Sequence, residues 1–292
     1  MTFRRTASAL ASMHVFYRAD VVVFCEGGQP KSVSDAMSHS ASERTLDNIF
    51  WSSMLEFTGI NKCLHFKSVG SKETLKTISQ DVMNSKIKTI TVCLDSDYDR
   101  KLGQAFSHDR VAYTKGYSWE SDVMSRSFLL YAISLLIGNC PQETINKLND
   151  TIDKIETDLV RWTEIDISLR YREKVCIFDR RVPLSGIDIN SSLVEVAHGR
   201  LKNRLAAVCG YKRRPNKIVS IQKNEVLEVA FGKMISKICY HLVIKLAKEI
   251  MESVKIEYEM FMKFAIKFTY DSIKAGRCPH ILSHYLSQKN AF

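Results

Sequence analysis

Short runs of β-branched and other apolar residues alternate with amphipathic segments over the first part of the chain. The run Asp20–Glu26 (DVVVFCE) is almost continuously apolar, which is typical of a strand buried on both faces of a parallel sheet. An alternation of strand and helix indicates an α/β fold with parallel crossovers. The pattern predicts strands at Asp20–Glu26, Lys62–Val69, Ile87–Leu94 and Val111–Tyr113, and helices at Glu43–Phe57 and Lys72–Met83.

Helical periodicity dominates after residue 119. The stretch Lys233–Ala275 contains neither proline nor glycine, so it forms either one very long helix or two packed helices. We predict a domain boundary at residue 136, between an α/β domain (residues 1–136) and a mainly helical region (residues 137–292). The remaining predicted elements are helices at Glu120–Ile137, Pro141–Thr163 and Ser191–Val208, and a short strand at Lys174–Phe178.

The composition is that of a soluble globular protein, with 45% hydrophobic and 25% charged residues among 292. The longest apolar stretch, Phe128–Ile137, is much shorter than the roughly 20 residues that a membrane helix needs. No signal-peptide pattern precedes the first strand, so we predict a cytoplasmic protein. The eight cysteines are widely spaced, without a CxxC pair, and are expected to be reduced rather than zinc ligands.

The formal net charge is +10, and the densest basic stretch lies between Glu195 and Glu225. A basic stretch of this kind fits a polyanion such as nucleic acid, and it fits a solvated helix face and loop equally well. The nucleic-acid-binding residues that it predicts are Arg200, Lys202, Arg204, Lys212, Arg213, Arg214 and Lys217.

The third predicted strand ends in the acidic sequence LDSDYD. In extended backbone, Asp95, Asp97 and Asp99 would project to the same side. Crowded carboxylates are neutralised by protons or by a cation, and oxygen ligands without His or Cys indicate Mg²⁺, Mn²⁺ or Ca²⁺. An acidic turn that caps a following helix is the alternative interpretation.

The first predicted strand also ends in a carboxylate, Glu26, followed by Gly27 and Gly28. The carboxyl ends of parallel strands meet at one edge of a sheet, where ligands bind in open α/β folds. We therefore expect Glu26 and the aspartates to share one metal site, with the Ser-rich segment Gln29–Ser42 as a mobile loop beside it. The glycines form neither a GxGxxG nor a Walker A sequence.

A strand ending in Glu-Gly, followed by a strand ending in Asp-x-Asp, resembles the Toprim pattern of topoisomerases, primases and OLD-type nucleases. The sequences VVVFCEG, LHFKSVGSK, ITVCLDSDYD and YTKGYSWES are similar to a Toprim-like family encoded beside ATPase genes in anti-phage loci. Within that family, the length and flanking sequence most resemble the AriB-type effectors of PARIS defence systems. The resemblance covers roughly residues 20–136 and implies a Toprim-like parallel sheet with flanking helices.

The resemblance implies a Mg²⁺-dependent endoribonuclease, with Mn²⁺ as a second possible cofactor, that cleaves host tRNA. It also implies an inhibitory complex with an AriA-like ABC-type ATPase, from which the nuclease is released during infection. Glu26 takes the place of the Toprim glutamate, and Asp95 and Asp97 take those of the Asp-x-Asp pair. Asp99 is a further candidate ligand.

The resemblance also extends to a Tyr-Ser-x-Glu element, which Tyr117, Ser118 and Glu120 match. Glu120 would be an outlying ligand or would orient one. The chain departs from the family pattern at two places, and both departures concern the second metal shell. Related sequences often have an acidic residue soon after Glu-Gly, where this chain has Gly28, Gln29, Pro30 and Lys31, and they have Asn where it has Ser121.

Lys115 is the candidate for contacting phosphate, with a plain surface lysine as the alternative. Competing functions are a metal-dependent DNA nuclease, a nucleotide-sugar transferase using the Asp-x-Asp, and a non-catalytic regulatory subunit of the ATPase complex. The apolar stripes of the C-terminal helices must be buried against the chain's own core, against the ATPase or in a homodimer, which we expect for the active form.

Overall fold

The computed structural model describes residues 7–36, 45–172, 175–189, 193–209 and 218–292. The strands are β1 (Val21–Cys25), β2 (Leu64–Ser68), β3 (Ile90–Leu94), β4 (Val111–Tyr113), β5 (Ile187–Asp188) and β6 (Glu195–Val196). The first six helices are α1 (Ala7–Phe16), α2 (Val33–Ala36), α3 (Leu46–Glu56), α4 (Lys72–Asn84), α5 (Trp119–Val123) and α6 (Arg126–Ile137). The others are α7 (Gln142–Arg172), α8 (His198–Cys209), α9 (Val226–Val229), α10 (Gly232–Ile250), α11 (Tyr258–Lys274) and α12 (Pro279–Ser287).

Four parallel strands form the main sheet in the order β2-β1-β3-β4. Every residue of β1 and of β3 is buried, as the apolar runs predicted for strands covered on both faces. The four strands predicted for residues 20–113 are present, as are the two helices predicted between them, so the mixed α/β architecture is confirmed. A helical C-terminal region follows, as predicted.

The chain divides into two compact units. The first, which we call the sheet unit, comprises Met1–Ser96, Ala105–Lys115 and Ile266–Phe292. The second, which we call the helical unit, comprises Asp97–Gln104 and Gly116–Ala265. This division differs from the predicted boundary at residue 136, because the last part of the chain returns to the sheet.

The C-terminal segment completes the sheet unit by covering the edge strand β4. The side-chain amide of Gln288 accepts a hydrogen bond from Tyr113 N (2.6 Å) and donates one to Tyr113 O (2.9 Å). One side chain thus satisfies both backbone groups that the neighbouring strand leaves open at this residue. Tyr285 of α12 packs edge-on against Phe50 and Trp51 of α3. Tyr113 and Gln288, which are 175 positions apart in sequence, are therefore bonded within the same unit.

Several elements of the helical region differ from the predicted ones. The predicted helix Glu120–Ile137 is divided into α5 and α6, because the Ser125 side chain accepts a hydrogen bond from Phe128 N and begins a new helix. Helix α7 continues beyond residue 163 to Arg172. The described part of the predicted strand Lys174–Phe178 is irregular. The predicted helix Ser191–Val208 begins only at His198 among the described residues, after the short strand β6.

The long stretch Lys233–Ala275 forms two helices, α10 and α11, which was one of the two predicted arrangements. The predicted loop Gln29–Ser42 contains the short helix α2, and residues 37–42 lie outside the described ranges. All eight cysteines are free thiols, as expected. In the described parts of the chain, no helix has both the length and the apolar character needed to cross a membrane.

Candidate metal and phosphate site at the carboxyl edge of the sheet

Glu26 and Asp95 meet at the carboxyl edge of the sheet unit. Strands β1 and β3 are neighbours, with Cys25 paired to Cys93, so each of these acids follows the end of one of two adjacent strands. The backbone N–H of Asp95 donates a long hydrogen bond, 3.4 Å, to Oε2 of Glu26. Both residues are partly exposed, so their carboxylates lie where solvent and ligands can reach them.

Gly27 brings a third carboxylate to this edge. Gly27 has φ +63° and Gly28 has φ +79°, a conformation that side-chain-bearing residues rarely adopt. A Cβ atom added to Gly27 would lie 2.5 Å from Oδ2 of Asp47, in the first turn of α3. The missing side chain thus leaves room for the Asp47 carboxylate beside the backbone that follows Glu26. The sequence analysis missed Asp47, because only the folded chain places α3 against this turn.

A lysine also lies at the carboxyl edge. Lys72 is the first residue of α4, which follows β2, and its Nζ donates a 2.9 Å hydrogen bond to the carbonyl oxygen of Asp95. This bond places the Lys72 ammonium beside the backbone that follows β3. The sequence analysis missed this residue as well. Its position at the start of the helix after β2 was the available signal, because such helix starts lie at the carboxyl edge.

Cys25, at the end of β1, lies near enough to the acids of this edge for their charges to affect its pKa. Burial raises the pKa of Cys25 well above its ordinary value. The hydrogen bond with Cys93 and then the negative charges of Asp47 and Asp95 raise it further. Cys25 is therefore a neutral thiol that lies near the carboxylates of Asp47 and Asp95.

These groups are chemically suited to Mg²⁺. Carboxylate oxygens are its preferred protein ligands, and Mg²⁺ is commonly held by one or two carboxylates together with water and substrate phosphate. Glu26 and Asp95 supply two such carboxylates. Within the described ranges, no group of three or more His, Cys, Asp or Glu side chains is arranged to hold a metal ion. Two carboxylates match, in type and number, the protein ligands with which Mg²⁺ is commonly held together with water and phosphate.

Asp97 and Asp99 belong to the helical unit. The predicted extended run from Asp95 to Asp99 is not observed, since β3 ends at Leu94 and Asp97 has the left-handed value φ +45°. Asp97 N donates a 2.6 Å hydrogen bond to Tyr117 O, and Asp99 O accepts one from Gln104 N in a turn. The three aspartates therefore do not alternate along one strand.

The side chain between the two aspartates is held in a polar cluster. Tyr98 is buried, and its hydroxyl donates a 2.8 Å hydrogen bond to Asp166 of α7. Asp166 also accepts the backbone N–H of Ile177 (2.6 Å) and pairs with Arg180 at 3.2 Å. The Arg180 guanidinium lies 4.3 Å from the ring centre of Phe231. The left-handed turn at Asp97 thus stands next to a tyrosine anchored in this polar cluster.

Glu120 is a buried acid in the helical unit, at 9% exposure. The hydroxyl of Ser118 donates a 2.5 Å hydrogen bond to Oε2 of Glu120. Burial raises the pKa of Glu120, against the lowering effects of the Ser118 hydrogen bond and the Lys233 charge, and Asp97 raises it further. Glu120 and Asp97 therefore lie near enough in the helical unit for their charges to interact, and the role of Glu120 as an outlying ligand or as a residue that orients one stays a prediction.

The other predicted residues lie in both units or outside the described residues. Arg200 donates to Ile187 O (3.0 Å) and Arg204 pairs with Asp179 (2.9 Å), so both contribute to the local structure of the helical unit. Lys202 is exposed, and Lys115 follows β4 in the sheet unit and is partly exposed. Four predicted nucleic-acid-binding residues, Lys212, Arg213, Arg214 and Lys217, lie outside the described residues.

Comparison with models of known protein families gives no match for this chain. Comparison with functionally characterised proteins gives no match either.

Proposed function

We propose that this protein is a Mg²⁺-dependent nuclease that cleaves RNA. The observation that carries the proposal is the meeting of Glu26 and Asp95 at the ends of two adjacent parallel strands, linked by the 3.4 Å contact. Packing does not require two acids at this edge. A divalent cation that binds both carboxylates would explain why they lie close together.

We assign different roles in phosphodiester cleavage to the residues at this edge. The chemistry that Mg²⁺ would supply when bound here is positive charge at the phosphate, to stabilise developing negative charge, and a lower pKa for an attacking water. Glu26 and Asp95 would hold the ion. Lys72, held by its hydrogen bond to Asp95 O, supplies a positive charge for the phosphate, and the φ > 0 backbone at Gly27 and Gly28 permits a close approach. Asp97, Asp99, Glu120 and Lys115 remain predicted contributors, to be tested one at a time.

The biological part of the proposal depends on the sequence resemblance. On that basis the substrate is host tRNA, the protein is the toxic effector of an anti-phage system, and an ABC-type ATPase inhibits it until infection. A homodimer is the proposed active form. The positive net charge of +10 supports a polyanionic substrate without specifying which one.

The decisive experiment incubates the purified chain with Mg²⁺ and either total cellular RNA or supercoiled plasmid. We expect RNA cleavage that EDTA abolishes and that Glu26→Gln and Asp95→Asn each abolish while the melting temperature is retained. Glu56→Gln serves as the matched control, because Glu56 is an exposed acid of the same unit that bonds to Tyr270.

The competing functions give different results in the same assay. Intact RNA beside nicked plasmid would reassign the substrate to DNA and leave the site in place. No cleavage of either nucleic acid, together with a melting temperature that Mg²⁺ does not change, would reject the enzyme and favour a non-catalytic subunit.

A further inference from the structure

One face of α10 carries regularly spaced basic residues. They occur at every fourth position, and we call them the α10 stripe: Lys233, Lys237, His241 and Lys245. The opposite face, which includes Ile235, Ile238 and Leu242, is buried in the helical unit. Lys233 is exposed and the other three are partly exposed, so the stripe lies on the accessible side of the helix.

The geometry of the stripe matches a chain of phosphates. Four residues along an α-helix rise about 6 Å, which is comparable with the separation of successive phosphates in a nucleic-acid strand. Members four residues apart lie on the same side of the helix, so a single strand running along it would meet one basic group after another.

Electrostatics show that the members of the stripe affect one another. The pKa of His241 is lowered by burial and then by the positive charges of Lys237 and Lys245. Like charges four residues apart disfavour a helix, and a bound polyanion would relieve that repulsion. At the first residue of the stripe, Lys233 acts on the buried acid Glu120.

Aromatic residues accompany the basic ones. Nζ of Lys237 lies 5.7 Å from the ring centre of Tyr258, and the ring of Tyr240 meets that of His241 edge-on at 5.2 Å. The hydroxyls of both tyrosines are fixed, Tyr258 by Ser236 (2.7 Å) and Tyr240 by Ile256 O (2.8 Å). The stripe therefore lies on a rigid surface, and aromatic rings among cations are typical of surfaces that bind single-stranded nucleic acid.

We propose that the α10 stripe binds the phosphate backbone of a single-stranded segment of nucleic acid. This inference rests on the proposed function, since it names the surface that holds the substrate of the nuclease. It also moves the main nucleic-acid interface away from the stretch between residues 200 and 217 that the sequence favoured.

Binding can be measured separately from cleavage. The test uses the full chain carrying Glu26→Gln, in EDTA, with fluorescein-labelled single-stranded RNA or DNA of one sequence, and measures fluorescence anisotropy at several salt concentrations. The test variant adds Lys237→Gln with Lys245→Gln. The matched control adds Lys147→Gln with Lys154→Gln, which removes the same charge from two exposed lysines of the same unit.

We expect the stripe variant to bind both strands about tenfold more weakly, while the control changes much less. The slope of log affinity against log salt should fall by about 0.7 for each phosphate contact removed from a single strand. In the unsubstituted stripe, the pKa of His241 measured by NMR should rise when RNA binds, because phosphate stabilises the imidazolium. A purely structural role for the lysines would leave that pKa unchanged.

Equal weakening in the stripe and control variants would overturn the inference, since it would reflect net charge alone. Weakening by Lys202→Gln but not by the stripe variant would also overturn it. Tight, stripe-dependent binding by a protein that cleaves nothing with Mg²⁺ would retain the inference and reject the proposed nuclease. Mg²⁺-dependent cleavage by a protein whose binding does not depend on the stripe would reject the inference and retain the proposed nuclease.

Discussion

The two units place carboxylates in different environments. Asp166 represents the helical unit, and Glu26 and Asp95 represent the sheet unit. Asp166 is fully buried and is bonded to Tyr98, Ile177 N and Arg180. Glu26 and Asp95 are partly exposed and are joined by one long contact.

The difference separates a structural acid from two candidate metal ligands. Burial raises the pKa of Asp166, and the Arg180 charge and three hydrogen bonds oppose that effect. Its oxygens are committed to holding the helical unit together. The acids at the sheet edge are partly exposed and lie near Lys72, at the place proposed above for a cation and a phosphate. The same residue type thus acts as a structural anchor in one unit and as a candidate ligand in the other.

The largest expected effect tests the functional side of this comparison. Asp95→Asn should lower the cleavage rate by about 10³-fold, equivalent to about 4 kcal/mol of transition-state stabilisation, because a neutral amide holds Mg²⁺ poorly. The free energy of unfolding should change by less than about 1 kcal/mol. Single-turnover cleavage and urea denaturation measure the two quantities. A large loss of stability with little loss of cleavage per folded molecule would make Asp95 a structural acid like Asp166.

The next effect tests the structural side. Asp166→Asn should lower the free energy of unfolding by about 3 kcal/mol, because it leaves Arg180 without its carboxylate and weakens three hydrogen bonds. Urea denaturation at pH 7 measures the change. Asp158→Asn is a suitable control, since Asp158 is a more exposed acid of the same helix that contacts His198 at 3.4 Å. Equal stability of the two variants would contradict the anchoring role.

A smaller effect concerns the cation at the sheet edge. Lys72→Met should slow cleavage by about 30-fold, or about 2 kcal/mol, because it removes positive charge from the phosphate site. Lys72→Arg should restore most of the rate, since it retains the charge and can donate to Asp95 O. The ratio of the two rate constants is the measurement. Equal rates for the Met and Arg variants would show that Lys72 has no electrostatic role.

The smallest effect concerns Lys67, a lysine buried in the sheet unit. Lys67 is 4% exposed, donates to Tyr17 at 2.7 Å, and has a pKa lowered to about 8 by burial and then by Lys31. The unfolded chain has a lysine pKa of about 10.4. Below pH 8, Lys67 is charged in both the folded and the unfolded chain, and burying this charge lowers the free energy of unfolding. As the pH rises from about 8 to about 10.4, the folded protein loses the proton before the unfolded chain does, so this destabilisation disappears.

Lys67→Met should accordingly stabilise the protein by about 1 kcal/mol at pH 7. The advantage over the parent protein should shrink as the pH rises between about 8 and 10.4. Urea denaturation at several pH values measures it, with Lys88→Met as the control for an exposed lysine of the same unit. An advantage that stays constant over this range would show that packing rather than charge is responsible.

The sequence by itself determined the strands and their surroundings. Apolar runs such as Val21–Cys25 can be buried only in a covered sheet, and their length and the helices between them indicated parallel strands. Because parallel strands share a carboxyl edge, the meeting of Glu26 and Asp95 could be expected from local pattern alone. The division of Lys233–Ala275 into two helices was one of two open alternatives.

Only the tertiary structure decided which side chains surround that edge. Asp47 and Lys72 reach it from helices α3 and α4, and Tyr98, next to the turn at Asp97, reaches Asp166, 68 residues further along the chain. Gln288 covers β4 from the far end of the sequence. Local periodicity records which residues are buried, but it carries no information about which distant residue buries them. The fold of each element was therefore readable from the sequence, whereas the composition of the site depended on long-range packing.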